Sequence, residues 1–207
     1  MIESIDNYIQ LVILGICTGV TLYRAVTKQR RSWVIITLFY AAFFFGSLYW
    51  ELFYMFRGDT PTKFYVAEFS WYVSYMFLFL FLRDQRDPAV RGMKCRIKWL
   101  IPVFAGGLSI YFMTFGQISS NIVSAILMSL VGMEAVKGLH SGNTVKRPAY
   151  VLTLIFFILE YLLWTSSCLF DEVSVSNPYY YIDILISVVL FVLMLCVGKA
   201  LRNEVTE

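Results

Sequence analysis

Apolar residues occur along the chain in seven runs that are separated by short polar segments. A helix that crosses a membrane needs about 20 predominantly apolar residues, and each run is close to that length. The breaks carry turn residues such as Gly58, Pro61 and the Asn177-Pro178 pair, and no linker divides the chain. The pattern predicts an all-α, seven-transmembrane-helix bundle that forms a single domain over residues 1–207. The predicted helices cover about residues 8–24, 33–56, 65–82, 99–115, 120–138, 149–169 and 178–198.

The composition agrees with a polytopic membrane protein and excludes most other classes. Hydrophobic residues make up 59% of the 207 positions and charged residues only 15%, with a mean hydropathy of +0.68. A soluble domain carries about 25% charged residues. Seven helices use about 140 positions, so only short loops remain. We therefore expect a lipid bilayer as the surrounding medium, and no nucleic-acid partner or soluble catalytic domain.

The basic residues alternate from one loop to the next. Of the seventeen Lys and Arg residues, only Arg57 and Lys63 lie outside the segments that follow the first, third, fifth and seventh runs. Because cytoplasmic loops collect Lys and Arg, we expect the N-terminus outside and the C-terminus in the cytoplasm. Glu3 and Asp6 precede the first run, where a cleaved signal peptide would carry basic residues, so this run is predicted to be a retained helix.

Cofactor and catalytic chemistry finds little support in the sequence. The only histidine, His140, falls in a predicted cytoplasmic loop, which argues against a His-based zinc or haem site. No GxSxG, HExxH, paired CxxC or Walker motif occurs. A retinal site needs a lysine deep in a helix, whereas Lys199 is at the end of helix seven. We predict no metal, no cofactor and no catalytic residues, and the four cysteines offer no external pair for a disulfide.

Carboxylates within the predicted spans are the strongest candidates for a functional role. A charged residue at the centre of a span costs at least about 2.5–3.5 kcal/mol, so it normally faces the interior of the bundle. Glu134 is close to Lys137 and is expected to form an ion pair at the cytoplasmic interface. Four carboxylates in helices two, three, six and seven lie in the middle or outer half of their spans, with no Lys or Arg at the same depth. They are Glu51, Glu68, Glu160 and Asp183.

Aromatic residues follow these carboxylates at helical spacing. Positions i, i+3, i+4 and i+7 of a helix share one face, so each carboxylate is predicted to share a face with Trp or Tyr side chains. Together they predict an outward-facing pocket for a small ligand or cation, with cation–π contacts from the aromatic faces. The aromatic members are Trp71, Tyr72, Tyr75, Trp164 and Tyr180. The structural alternatives are an aromatic belt at the membrane interface and protonated carboxyl groups that hydrogen-bond between helices.

A weak internal repeat is also present. Thr18–Arg24 parallels Val131–Lys137, and each segment ends a helix on the predicted cytoplasmic side. Helices one to three would then repeat as helices five to seven, with helix four between them. Such a 3+1+3 arrangement of parallel repeats occurs in small transporters.

The region of helices two and three resembles the corresponding hairpin of bacterial multi-pass sensor modules that precede diguanylate cyclase or histidine kinase domains. The residues that carry the resemblance are Gly46 to Glu51, Tyr54, Gly58, Pro61, Glu68, Trp71, Tyr72 and Tyr75. The resemblance implies a plasma-membrane protein, in particular one of the bacterial inner membrane, with a cytoplasmic signalling partner or fused output domain. The chain departs from that pattern because it stops at Glu207, where an output domain would begin. A PQ-loop transporter has the same number of helices, but no Pro-Gln dipeptide occurs here.

Three functions follow from these observations. The first hypothesis is a receptor or sensor module whose outer pocket binds a small ligand or cation and shifts helices toward the cytoplasm. The alternative is a small proton- or cation-coupled transporter built on the 3+1+3 repeat. A membrane-embedded enzyme is the third possibility. We predict that the protein is not an enzyme.

Overall fold

The computed structural model describes residues 2–58, 65–86, 95–115, 118–141, 143–170 and 174–203. The described residues are almost entirely helical and include no strand. The helices are α1 (Ile2–Lys28), α2 (Arg31–Arg57), α3 (Tyr65–Asp84), α4 (Leu100–Phe112), α5 (Ile118–Leu139), α6 (Arg147–Leu169) and α7 (Pro178–Asn203). Short 3₁₀ turns at Ile97–Trp99 and Met113–Phe115 flank α4. The prediction of an all-α, seven-helix membrane protein is confirmed.

Local chemistry explains where two of these helices end or begin. Gly58 adopts a left-handed conformation with φ of 67°, and its N–H donates to the carbonyl of Tyr54, which terminates α2. Pro178 occupies the first turn of α7, where the missing N–H has no helical partner in any case. The Asn177 side-chain oxygen accepts the N–H of Tyr179 at 2.9 Å, so this helix begins with a side-chain cap.

Six helices pack side by side in a closed circle. The neighbours run in the order α1, α2, α3, α5, α6 and α7, and α7 returns to contact α1. Helix α4 lies outside this circle, where it packs against α5 and sends Phe104 and Phe112 toward Tyr161 of α6. The outward faces carry large apolar side chains such as Val103 and Ile110, which is the surface that hydrocarbon requires.

The centre of the circle is filled by aromatic side chains. Phe43, Tyr75 and Phe156 come from α2, α3 and α6, and their rings lie 6.1–6.5 Å apart in edge-on or tilted pairs. These three residues are called the aromatic layer below. Next to them, the buried Tyr40 hydroxyl donates to the carbonyl of Leu190 at 2.8 Å and so joins α2 to α7. The layer separates the bundle into two halves with different polar groups.

One half ends where α1, α3, α5 and α7 finish, and it is called the basic end because most Lys and Arg residues lie there. Glu134 is buried in this half and pairs with Arg86 at 3.0 Å and with Lys137, which is the expected ion pair with one additional partner. The opposite half is called the acidic end. Which end faces the cytoplasm stays a prediction from the distribution of basic residues.

Close contacts at glycine bring α5 against its neighbours. A Cβ atom added to Gly138 would lie 2.3 Å from the ring of Tyr150 on α6. A Cβ atom at Gly132 would lie 2.6 Å from the Ile101 side chain. Small residues let membrane helices approach closely, because packing rather than hydrophobic burial drives their association.

Candidate functional site

Four carboxylates are buried in the acidic half of the bundle. Asp6, Glu51, Glu160 and Asp183 belong to α1, α2, α6 and α7 and are 1%, 7%, 3% and 4% exposed. The buried face of each helix turns toward the interior of the circle, so none of these four groups faces lipid. Burial of this many acidic side chains is unusual, since Asp and Glu are almost never fully buried unless paired.

Gln10 is the residue that connects these helices. Its Nε2 donates to Asp183 Oδ1 at 2.7 Å, and its Oε1 accepts the hydroxyl of Ser47 at 2.8 Å. One amide side chain of α1 therefore links α2 to α7, although Gln10 and Asp183 are 173 positions apart in sequence. Both the nitrogen and the oxygen of the Gln10 amide form hydrogen bonds, so two contacts fix the position of this side chain.

The carboxylates lie close enough to interact with one another. Asp183 interacts electrostatically with Asp6 on one side and with Glu160 on the other, and the Tyr75 hydroxyl faces Glu160. Within the ranges that the structure describes, no Lys or Arg pairs with Glu160 or Asp183. Asp6, Gln10, Glu160 and Asp183 are called the acidic cluster. It brings several carboxyl groups together in a region of low dielectric, where any charge that they carry interacts strongly with a nearby charge.

Two further polar atoms beside the acidic cluster make no hydrogen bond to any part of the chain that is described. They are Oε2 of Glu51 and Oγ of Ser187, and Ser187 is fully buried. Glu51 follows Ser47 by one helical turn, and Ser187 follows Asp183 by one turn, so both share the face of a residue in or next to the cluster. A buried polar group without a partner costs about 1–3 kcal/mol. A polar ligand would supply the missing partners.

The residues predicted as one pocket fall into separate places. Glu51, Tyr75, Glu160, Tyr180 and Asp183 are all buried. The remaining predicted residues contact other neighbours. On α3, the predicted aromatic face is wide enough to touch both α2 and α5.

Glu68 and Tyr72 belong to the contact between α3 and α5. The Tyr72 hydroxyl donates to Glu68 Oε1 at 3.1 Å, and the Ser120 hydroxyl of α5 also donates to Glu68. Glu68 is therefore satisfied at this interface. Trp71 turns the other way and lies against Gly46 of α2, where its indole nitrogen would be 2.8 Å from an added Cβ.

Trp164 contacts the peripheral helix α4. Its ring packs against Phe112 of α4 at 6.3 Å and against Tyr161 at 5.2 Å. These ring contacts place the indole on the side of α6 that faces the peripheral helix. Helix α4 lies outside the circle, and an indole that packs against it is directed away from the circle's centre.

Sequence reasoning missed three residues of this region. Asp6 falls ahead of the first helix predicted over about residues 8–24, but α1 begins at Ile2 and includes it. Gln10 lies inside the predicted helix and was not singled out. The signal was the helical spacing of Asp6 and Gln10 with Leu14 and Cys17, which are buried on the same face. Tyr179 was also missed, and it interacts with Asp6, Glu160 and Asp183.

Among the residues that the structure describes, no three His, Cys, Asp or Glu side chains converge closely enough to hold a metal ion. Tyr75 interacts with Glu160, and Tyr179 interacts with both Glu160 and Asp183, so aromatic rings accompany the carboxyl groups. The face of an aromatic ring attracts cations.

Loss of the Gln10 bridge is expected to weaken the acidic half. The Gln10→Ala variant removes the donor to Asp183 and the acceptor of Ser47, so we expect the free energy of unfolding to fall by about 1–2 kcal/mol. Thermal unfolding followed by tryptophan fluorescence measures this change. The matched control is Gln29→Ala, at the exposed C-terminal side of α1. Equal stability of the two variants would show that the bridge contributes nothing.

No known protein family, characterised protein or solved structure matches this chain. The chain is a multi-pass membrane protein on the strength of its seven apolar helices. Any more specific function has to be argued from the geometry of the bundle.

Proposed function

We propose that the chain is a membrane receptor or sensor module that binds a small cation at the acidic cluster. The observation that carries this proposal is that Glu160 and Asp183 are both buried, that Gln10 holds Asp183, and that neither carboxyl group has a basic partner among the described residues. A buried charge persists only when it is compensated, and a bound cation compensates several carboxylates at once. Glu51 and Ser187 share helix faces with residues in or next to the cluster, and each has one side-chain oxygen without a hydrogen bond in the described chain.

The packing of the bundle supports a receptor over a conduit. The aromatic layer of Phe43, Tyr75 and Phe156 lies between the acidic cluster and the basic end. Protein interiors of this kind are close-packed, so this layer closes the path between the acidic cluster and the basic end. A site without a path to the other end detects a ligand without passing it on.

A route for a signal runs along α2 and α7. At the acidic end the two helices are joined through Ser47, Gln10 and Asp183. In the middle Tyr40 bonds to the carbonyl of Leu190. At the basic end the Arg30 guanidinium donates to the carbonyl of Leu201 at 3.2 Å.

A ligand that pulls Asp183 toward its neighbours therefore shifts α7 against α2 along its whole length. Such small helix translations are a common means of signalling across membranes and interfaces. With the basic end in the cytoplasm, the end of α7 would carry the signal to an output domain or a partner protein.

The experiment that tests this proposal is a binding survey on the full chain in lipid nanodiscs. The probes are sodium, potassium, calcium, choline, tetramethylammonium and a series of primary amines, each at neutral pH. We expect at least one organic cation to raise the melting temperature, since a ligand at 100 times its Kd stabilises the folded state by about 2.7 kcal/mol. The proposal fails if no probe changes the melting temperature or gives heat in calorimetry.

The second candidate is a cation-coupled transporter. This alternative is favoured by the buried carboxylate at the basic end, where Glu134 pairs with Arg86 and Lys137. A transporter requires the aromatic layer to open, so it predicts uptake of the bound cation into vesicles that contain the reconstituted chain. Binding without uptake supports the receptor, whereas uptake that is lost in a Glu134→Gln variant supports the transporter.

A further inference from the structure

The outward face of α1 contains a second feature that the acidic cluster does not use. A shallow, open cleft of about 420 Å³ lies along the half of α1 that leads to the basic end, and residues of α1 alone line it. The lining residues are Gly19, Val20, Tyr23, Arg24, Thr27 and Lys28.

The cleft has an apolar part and a charged part in a fixed order. Gly19 lies nine residues before Lys28, which places Gly19 about 14 Å further from the basic end along the helix axis. No atom lies within 4 Å of the position that a Cβ of Gly19 would take, so the missing side chain leaves the deep part of the cleft open. Val20 and Tyr23 form the apolar part, and both are exposed on the surface of the bundle.

The charged part lies at the basic end. The Arg24 guanidinium is held over the ring of Trp33 at 5.6 Å from the ring centre, which fixes the position of one positive charge. Lys28 follows one helical turn later. In the described part of the chain neither residue forms an ion pair with a carboxylate. Two positive charges that have no acidic partner among the described residues are therefore presented at the basic end of this face.

We propose that this cleft binds an anionic phospholipid. The lipid phosphate would contact Arg24 and Lys28, and one acyl chain would run past Val20 over Gly19. Basic pockets on membrane helices bind anionic headgroups through charge, and each Lys or Arg near the surface contributes about 1 kcal/mol. The order of apolar and charged groups along the cleft matches the order of acyl chain and headgroup in a lipid leaflet. This site is independent of the proposed cation site.

Lipid retention by the purified full chain tests the proposal. Native mass spectrometry in detergent would compare phosphatidylglycerol with phosphatidylcholine, which share acyl chains and differ in headgroup charge. We expect the chain to retain phosphatidylglycerol preferentially. Lys28→Gln should reduce this preference by about fivefold, and the Arg24→Gln, Lys28→Gln double variant by about 25-fold. Gly19→Leu should remove retention of both lipids, because the new side chain fills the deep part of the cleft.

Two matched controls keep the test specific. Gly107→Leu places the same side chain on an exposed glycine of α4, which also has open space around it. Arg202→Gln removes a basic residue from the same end of the bundle on α7. Both controls should retain phosphatidylglycerol as the parent chain does. The melting temperature of every variant in lipid-free detergent checks that the fold is intact.

Three outcomes would overturn the proposal. The first is equal retention of the two lipids by the parent chain. The second is loss of retention in the controls to the same extent as in the cleft variants. The third is a dimer that dissociates on Gly19→Leu, because Gly15 and Gly19 have the spacing of a helix-pair contact. In that case light scattering would show that a second copy, rather than a lipid, occupies the cleft.

Discussion

Replacing Glu160 by Gln is expected to abolish cation binding while the fold remains intact. Glu160 is 3% exposed and interacts electrostatically with Asp183. Gln has nearly the same shape, so the packing against the aromatic layer is preserved, but the negative charge is lost. Removal of one charged partner from a buried charge pair costs about 2–5 kcal/mol of binding, which corresponds to at least a 30-fold increase in Kd. Calorimetry with the cation found in the binding survey measures this change.

The matched control for this prediction is Glu68→Gln. Glu68 lies on α3 and is satisfied by Tyr72 and Ser120, away from the acidic cluster. We expect this variant to bind the cation as the parent chain does. If Glu160→Gln changes only the melting temperature and leaves the Kd unchanged, the carboxylate is structural and the site proposal is wrong. Equal losses in both variants would also contradict it.

Leucine at position 138 is expected to disrupt the contact between α5 and α6. Even the Cβ atom would lie 2.3 Å from the Tyr150 ring, so Gly138→Ala should already destabilise the chain by about 1–3 kcal/mol. Each kcal/mol lowers the melting temperature of a chain of this size by about 2–4 °C. Gly138→Leu adds three more carbon atoms in the same place and should destabilise the chain by more than about 3 kcal/mol.

The Gly138 prediction has its own control and rescue. Gly106→Leu adds the same side chain on α4, where no atom lies within 4 Å of the new Cβ, and it should leave the melting temperature unchanged. Tyr150→Ala should restore part of the stability of Gly138→Leu, because it removes the ring that the leucine would meet. A Gly138→Leu variant as stable as Gly106→Leu would show that α5 and α6 are not packed as described.

The seven helices could be predicted because their signal is local. A run of about 20 apolar residues can satisfy its backbone in hydrocarbon only as a helix. The breaks at Gly58 and Asn177-Pro178 are also local, since a left-handed glycine and a side-chain cap act within one turn. The predicted start of α1 is too late because a run of apolar residues is taken to end at charged residues such as Glu3 and Asp6. The interior of a helix bundle can nevertheless accommodate charged residues.

The candidate site could be predicted only in part because it depends on which helices are neighbours. Helical spacing correctly indicates that Trp71, Tyr72 and Tyr75 share one broad face of α3. It does not indicate that Trp71 meets α2 while Tyr72 meets α5. Trp164 differs from the expectation for the same reason, since α4 packs outside the circle and takes up its ring. Gln10 could be found only from the contact between α1 and α7, which no local pattern encodes.

The contact between α1 and α7 has a consequence for how the protein is made. Synthesis delivers α1 to the membrane first and α7 last, yet the circle of helices closes only when these two meet. Until then Gln10 has no Asp183 to bind, and the polar side of α1 faces lipid or an insertion factor. Exposure of polar groups to lipid is unfavourable. The acidic cluster is therefore the last part of the bundle to assemble. A nascent chain that is interrupted before α7 lacks Asp183, so the proposed cation site would exist only in the complete circle.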